Sequence, residues 1–178
     1  STMLVGAVAT PILGRLADMY GRKKVVLTLI VAMGIGSALC AVTDELWVLI
    51  LGRALQGIGA AVVPIAMSIF RDVLPPEELN SSVGMMSTTV GIGAALGLPL
   101  TTTVAQFGDW HLLFVGVAVI CAVEVVLVAR YVPETGAGTG GRFDAPGALL
   151  LTAMLLALLA AITQGNSWGW GSWRVLGL

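Results

Sequence analysis

The chain has 178 residues, of which 57% are hydrophobic and 11% charged, and a formal net charge of −1. A soluble domain carries roughly a quarter charged residues, so this much apolar side chain has no water-soluble core large enough to hide in. The near-neutral balance leaves no basic excess to attract nucleic acid, and there is no acidic tail. Cys40 and Cys121 lie far apart in apolar runs, with neither metal-ligand spacing nor the density of a disulfide scaffold, and read as buried thiols.

Crossing a hydrocarbon core of roughly 30 Å takes about 20 apolar residues in helix. Residues 1–13 are apolar but too short to cross, and they lack the basic start and cleavage site of a signal peptide. They are expected to be the tail of a helix that begins before the sequence given. A charged knot follows, Gly14-Arg15-Leu16-Ala17-Asp18-Met19-Tyr20-Gly21-Arg22-Lys23-Lys24. Val25–Val42 is predicted to cross, Thr43-Asp44-Glu45 to turn, and Leu46–Phe70 to cross back. Arg71–Ser82 is expected as a polar loop in which Pro75 and Pro76 stop one helix, while Glu77 and Glu78 suit the positive N-terminal end of the next. Val83–Ala105 and His111–Arg130 are the next two crossings, joined by a turn at Gln106–Trp110.

From Tyr131 to Phe143 the composition is polar and glycine-rich, as in a linker. Asp144 has the place of an N-cap, Pro146 is tolerated in the first turn, and Ala145–Thr163 crosses again. Trp168, Trp170 and Trp173 suit an interfacial aromatic belt, and the last residues open a further apolar segment. The expected architecture is an all-α, multi-pass membrane protein, divided into a bundle over residues 1–130, a cytoplasmic linker over 131–144, and a helix, outer loop and helix start over 145–178. Both ends look cut. Charge supports the topology: Arg15, Arg22, Lys23, Lys24, Arg71, Arg130 and Arg142 all fall on the side that the positive-inside tendency makes cytoplasmic, whereas Arg174 falls outside and Arg53 lies within a helix.

The knot resembles the loop between the second and third helices of the major facilitator superfamily of secondary transporters, Gly-x-Leu-Ala-Asp-Arg-x-Gly-Arg-Lys. The matching residues are Gly14, Leu16, Ala17, Asp18, Gly21, Arg22 and Lys23, with Met19 in place of the usual arginine. Arg53-Ala54-Leu55-Gln56-Gly57-Ile58-Gly59-Ala60-Ala61 is similar to the family's fourth-helix motif. This register runs from late helix two to the start of helix eight and implies a polytopic bundle of the major facilitator type, the N-terminal half plus one extra helix. The brief linker, the phrase Tyr131-Val132-Pro133-Glu134-Thr135 and the turn Gln164-Gly165-Asn166-Ser167-Trp168-Gly169-Trp170 resemble the fourteen-helix drug:proton antiporter branch. In helix five the branch's Gly-Pro-x-x-Gly-Gly is altered: one residue separates Gly97 from Pro99, and Thr101 and Thr102 stand near the later glycines.

Several residues carry the expected mechanism. Gly21 can adopt positive φ at a tight joint without steric cost. Lys23 and Lys24 gain nothing from the dipole at a helix N-terminus and read instead as topology setters in contact with anionic lipid. Asp18, a carboxylate among Arg15, Arg22 and Lys23, reads either as a breakable latch or as a capping or solvated group. The resemblance implies the latch, with Gly14, Asp18, Gly21, Arg22 and Lys23 as the conformational motif. Arg53 lies seven residues past Leu46, about 10 Å into the membrane, where an arginine costs roughly 2.5–3.5 kcal/mol. It either leans to the outer interface or faces a cavity, coupling proton and substrate, and Gln56 and Gly57 share its face.

Glu124 lies about 9 Å before Arg130, leaving roughly 11 Å of axial separation from Arg53, too far for a direct ion pair. Desolvation favours its neutral form, as a proton carrier requires; a partner elsewhere or snorkelling explains it equally well. In helix five, Gly93-x-x-x-Gly97 fits close helix contact, and Pro99 with Ser87, Thr88, Thr89, Thr101, Thr102 and Thr103 fits either a kinked packing helix or a solute path.

His111, beside Trp110, has no Cys or acidic ligand spacing, so no metal is expected, and no cofactor either. There is no phosphate-cradling Gly-x-x-x-x-Gly-Lys-Ser/Thr run, and no serine is paired with a base, so an enzyme is not expected. The resulting expectation is a secondary transporter of the inner membrane that exports small amphipathic or drug-like compounds against protons by alternating access. Its partners are substrate, protons, lipid and the remaining helices of the full-length chain, not nucleic acid. Solute:proton symport, or a non-transporting sensor or scaffold, are the alternatives.

Overall fold

A computed structural model describes residues 2–134, 144–169 and 172. It contains seven α-helices: α1 (Thr2–Tyr20), α2 (Arg22–Ala41), α3 (Leu46–Ile58), α4 (Val62–Val73), α5 (Pro76–Phe107), α6 (His111–Tyr131) and α7 (Ala145–Trp168). A 3-10 turn, Gly59–Ala61, joins α3 to α4. Five stretches, Arg22–Ala41, Leu46–Val73, Pro76–Val104, His111–Tyr131 and Pro146–Gly165, are long and apolar enough to cross a membrane.

The charged knot is helical almost throughout, because Arg15 to Met19 are helix-compatible residues and only Gly21, at φ 101°, breaks the chain direction. The return crossing is not one regular helix. Pro64 has no N–H for the carbonyl of Ala60 and its ring crowds that carbonyl, so the backbone tightens into the 3-10 turn just before it. The polar loop expected at Arg71–Ser82 shrinks to Leu74 and Pro75. α4 runs on to Val73, and α5 starts at Pro76, with Glu77 and Glu78 in its first turn. The next turn, expected from Gln106, begins at Gly108, since α5 continues to Phe107.

At the start of α7, Asp144 accepts a hydrogen bond from the Gly147 N–H at 3.0 Å and caps the helix, with Pro146 in the first turn. This helix continues through Gln164–Trp168, expected as part of a turn, and ends before Gly169 at φ 81°. The linker residues 135–143, including Arg142, and Trp170, Trp173, Arg174 and the start of a further helix fall outside the described residues.

α2 lies at the centre, packed against α1, α3, α4 and α6. Its buried Val26, Leu29 and Ile30 form a core with Ala17, Ala61, Ile65, Ile69 and Cys121. α2 and α3 approach with almost no side chain between them: a Cβ added at Gly36 would lie 2.6 Å from the Gly52 carbonyl oxygen. By contrast, α5 touches only α4 and α6 among the described residues, and none of its described side chains is buried.

Successive crossings alternate in direction, with α3 and α4 together making one, so Gly21, Leu74–Pro75 and the end of α6 share one end, whereas Val42–Glu45 and Gly108–Trp110 share the other. Arg22, Lys23, Lys24, Arg71 and Arg130 all lie at the first end, the basic end.

Candidate functional site

At the basic end, the joint at Gly21 delivers two adjacent cations to opposite neighbours. Arg22 donates from Nε and Nη2 to Asp18 Oδ1, each at 3.2 Å, across one turn spanning the α1–α2 joint. Its Nη1 donates to the Ser68 carbonyl oxygen at 3.0 Å and also to Asp72, both on α4. One guanidinium thus ties α1, α2 and α4 through two carboxylates that are each 45% exposed, an arrangement water can enter and reverse. Lys23 turns the other way, and its Nζ donates to the Ala129 carbonyl oxygen in the last turn of α6 at 3.0 Å. That bond places a cation at the negative end of the α6 dipole. Around Gly14, an added Cβ would meet no atom within 4 Å among the described residues.

Deeper in the bundle, the guanidinium of Arg53 lies 5.0 Å from the centroid of the Phe114 ring of α6, and its Nη1 reaches Gln56 Oε1 at 3.4 Å. Gln56 Nε2 donates to Ser37 Oγ at 2.9 Å, and Ser37 donates in turn to the Met33 carbonyl oxygen. The chain Arg53–Gln56–Ser37 therefore bridges α3 to α2, while Gly57, next along, meets α1 so closely that an added Cβ would lie 2.5 Å from the Thr2 carbonyl oxygen. Arg53 has no carboxylate partner among the described residues.

Glu124 stands apart from this chain. It lines a cavity of about 280 Å³ between α2, α4 and α6, among Val26, Ile30, Val62, Ile69 and Val128. Here too no cation pairs with it among the described residues. The hydroxyls of α5 bond its own backbone: Ser87, Thr88, Thr89, Thr101, Thr102 and Thr103 each donate to a carbonyl three or four residues earlier. Pro99 sits inside the helix. At Gly93 and Gly97, where close helix contact was expected, an added Cβ would meet nothing within 4 Å among the described residues.

The sequence profile of the Major Facilitator Superfamily matches residues 1–163. The chain belongs to that superfamily. It is therefore a multi-pass integral membrane protein of a transporter family. Among curated relatives it is 34% identical to "Multidrug resistance protein 3" of Bacillus subtilis (strain 168), covering all of this chain and 35% of that protein. It is 32% identical to "Uncharacterized MFS-type transporter YfiU" of the same organism, over 89% of this chain and 31% of the relative. Identity is also 32% to "Probable actinorhodin transporter" of Streptomyces coelicolor, over 96% of this chain and 30% of the relative. The chain thus spans about a third of the length of the curated relatives it matches. Superfamily transporters act on small molecules, generally with coupled ions.

Three partners in these networks were not legible in advance: Asp72 for Arg22, the Ala129 carbonyl for Lys23, and Ser37 for Gln56. Asp72 carried a signal. A carboxylate in the last turn of a helix faces the negative end of the dipole, so it calls for a cation from elsewhere.

Proposed function

We propose that the full-length protein is a proton-coupled exporter of small amphipathic or drug-like compounds that works by alternating access. Asp18, Arg22 and Asp72 act as a latch that holds one access state and opens in the other, with Gly21 as its joint. Arg53 and Gln56 respond to proton and substrate, and Glu124 carries a proton. The observation that carries this proposal is Arg53: a permanent cation in a crossing helix, propped by Gln56 and Phe114, with most of its five donors unused among the described residues. Such a charge is costly unless an anionic or polar group engages it during the cycle. The names of the multidrug-resistance and actinorhodin relatives support small organic compounds as cargo.

Solute:proton symport is the second reading. It is favoured by the altered glycine–proline pattern of α5. The full-length protein in liposomes, given an imposed proton gradient and an amphipathic dye, separates the two. Export requires dye to move opposite to protons; co-directional movement selects symport. Dye movement indifferent to the gradient overturns proton coupling in either form.

A further inference from the structure

At the end opposite the basic cluster, which the charge distribution turns outward, one imidazole sits between two carboxylates from different turns. His111 Nδ1 lies 2.6 Å from Asp109 Oδ1, and its Nε2 lies 3.4 Å from Asp44 Oδ1. Asp109 Oδ1 also accepts the His111 backbone N–H at 3.0 Å. Asp109 stands two residues before His111 in the sequence; the fold adds Asp44 from the α2–α3 turn.

We propose that His111, Asp44 and Asp109 form a proton-binding site at the outer end of the bundle, whose occupancy ties the α5–α6 turn to the α2–α3 turn or releases it. A neutral imidazole has one N–H and one lone pair, so it can donate to only one carboxylate and sets its lone pair against the other. Only the imidazolium donates to both. The groups facing the ring are few: Asp44 and the Thr43 backbone from the α2–α3 turn, Asp109 from the α5–α6 turn, and Trp110 with its ring centroid 3.8 Å away. Arg53, the cation of α3, lies against Phe114, one turn further along α6.

Asp109 is held below the ordinary carboxylate range, first by the His111 backbone N–H and then by the imidazole itself. A depressed carboxyl keeps its contribution above its unfolded pKa and loses it as pH falls through the folded value, so Asp109 stays ionised where histidine changes charge. Across neutral pH the variable proton is therefore the one on His111. What it controls follows from connectivity. The outer end of α5 runs through Gly108, Asp109 and Trp110 to the imidazole. With the clasp closed, the α5–α6 turn is tied to the α2–α3 turn through His111 and Asp44; with it open, that tie is lost.

The test uses the full-length protein in lipid nanodiscs, with its native cysteines replaced and spin labels at Val42→Cys and Gln106→Cys. A narrow distance distribution at pH 5.5 that broadens at pH 8.5 is expected. His111→Gln should make the distribution the same at both pH values, and Asp44→Asn should keep it broad at both. A distribution that does not change with pH in the parent protein, or a pH response that survives in His111→Gln, overturns the proposal. Because the readout is a distance, it stands whether or not the protein exports anything.

Discussion

The Lys23 ammonium donates to the carbonyl oxygen of Ala129 at 3.0 Å, linking the first turn of α2 to the last turn of α6. This is the one contact that places a basic side chain of the knot on α6 among the described residues, and it satisfies a carbonyl left without an in-helix partner near the helix end. Replacing the cation by a side chain of similar length, Lys23→Met, is expected to cost about 0.5–1 kcal/mol of stability, the usual worth of a charge at a helix terminus. Lys23→Arg should keep most of it. Reversible unfolding of the full-length protein in detergent measures both, and equal stability of Lys23→Met and the parent would show that the bond contributes nothing.

Arg22 is shared by Asp18 and Asp72, so its loss differs from the loss of either partner. Asp18→Asn and Asp72→Asn each leave the guanidinium one carboxylate, and with these groups partly exposed each should cost no more than about 1 kcal/mol. Arg22→Gln leaves two carboxylates without their shared cation and should cost more than either. If the cluster is a latch, all three variants change turnover more than stability, by roughly tenfold in flux, about 1.4 kcal/mol in the balance between access states. Flux measured beside unfolding on the same preparations decides this. Losses of flux that merely track losses of folded protein would leave only a structural role.

The crossings themselves were legible from hydropathy, because a helix in lipid must carry its apolar length in consecutive residues. Pro75 with Pro76 marked a helix stop, and Asp144 a helix start, for local reasons that tertiary structure does not override. Boundaries failed where the local signal was ambiguous. The knot looked like a loop because it is charged, yet it has only one residue, Gly21, that departs from helix. Residues 77–82 looked like loop because they are polar, yet they extend α5 beyond the apolar span. The partnerships of Arg22, Lys23 and Gln56 depend on how each helix is rotated about its axis. With six glycine or alanine positions in 52–61 alone, several faces offered similar close packing. The pairing of His111 with Asp44 joins two turns separated by three helices, which no periodicity encodes.

Close packing of α2 on α3 rests on the absence of two side chains. A Cβ at Gly36 would lie 2.6 Å from the Gly52 carbonyl oxygen and 2.8 Å from Leu55 Cβ, and one at Gly52 would lie 2.7 Å from the Gly36 carbonyl oxygen. The Cβ at Gly52 would also meet Cys40 Sγ at 2.5 Å, but the two carbonyl oxygens are backbone and cannot turn aside, so the helices must separate. Gly36→Ala and Gly52→Ala are each expected to destabilise by about 1–3 kcal/mol, as overpacking does. Gly116→Ala on α6, where an added Cβ meets nothing within 4 Å, should be neutral or slightly stabilising because alanine is the better helix former. Unfolding of the three variants in detergent compares them, and three equal stabilities would contradict the close approach.

Glu124 provides the sharpest separation of transport from folding. It lines a cavity whose other walls, Val26, Ile30, Val62, Ile69 and Val128 among them, are apolar, and no cation meets it among the described residues. A carboxylate kept there for stability would be poorly placed, since an uncharged isostere avoids the cost of desolvating the charge. Glu124→Gln is therefore expected to leave unfolding stability unchanged or raised by up to about 1 kcal/mol. If the carboxyl carries a proton, the same variant loses the response of dye flux to the imposed gradient while still binding dye, whereas Glu124→Asp retains a reduced response. A Glu124→Gln protein that exports with the parent's gradient dependence would remove Glu124 from the coupling path.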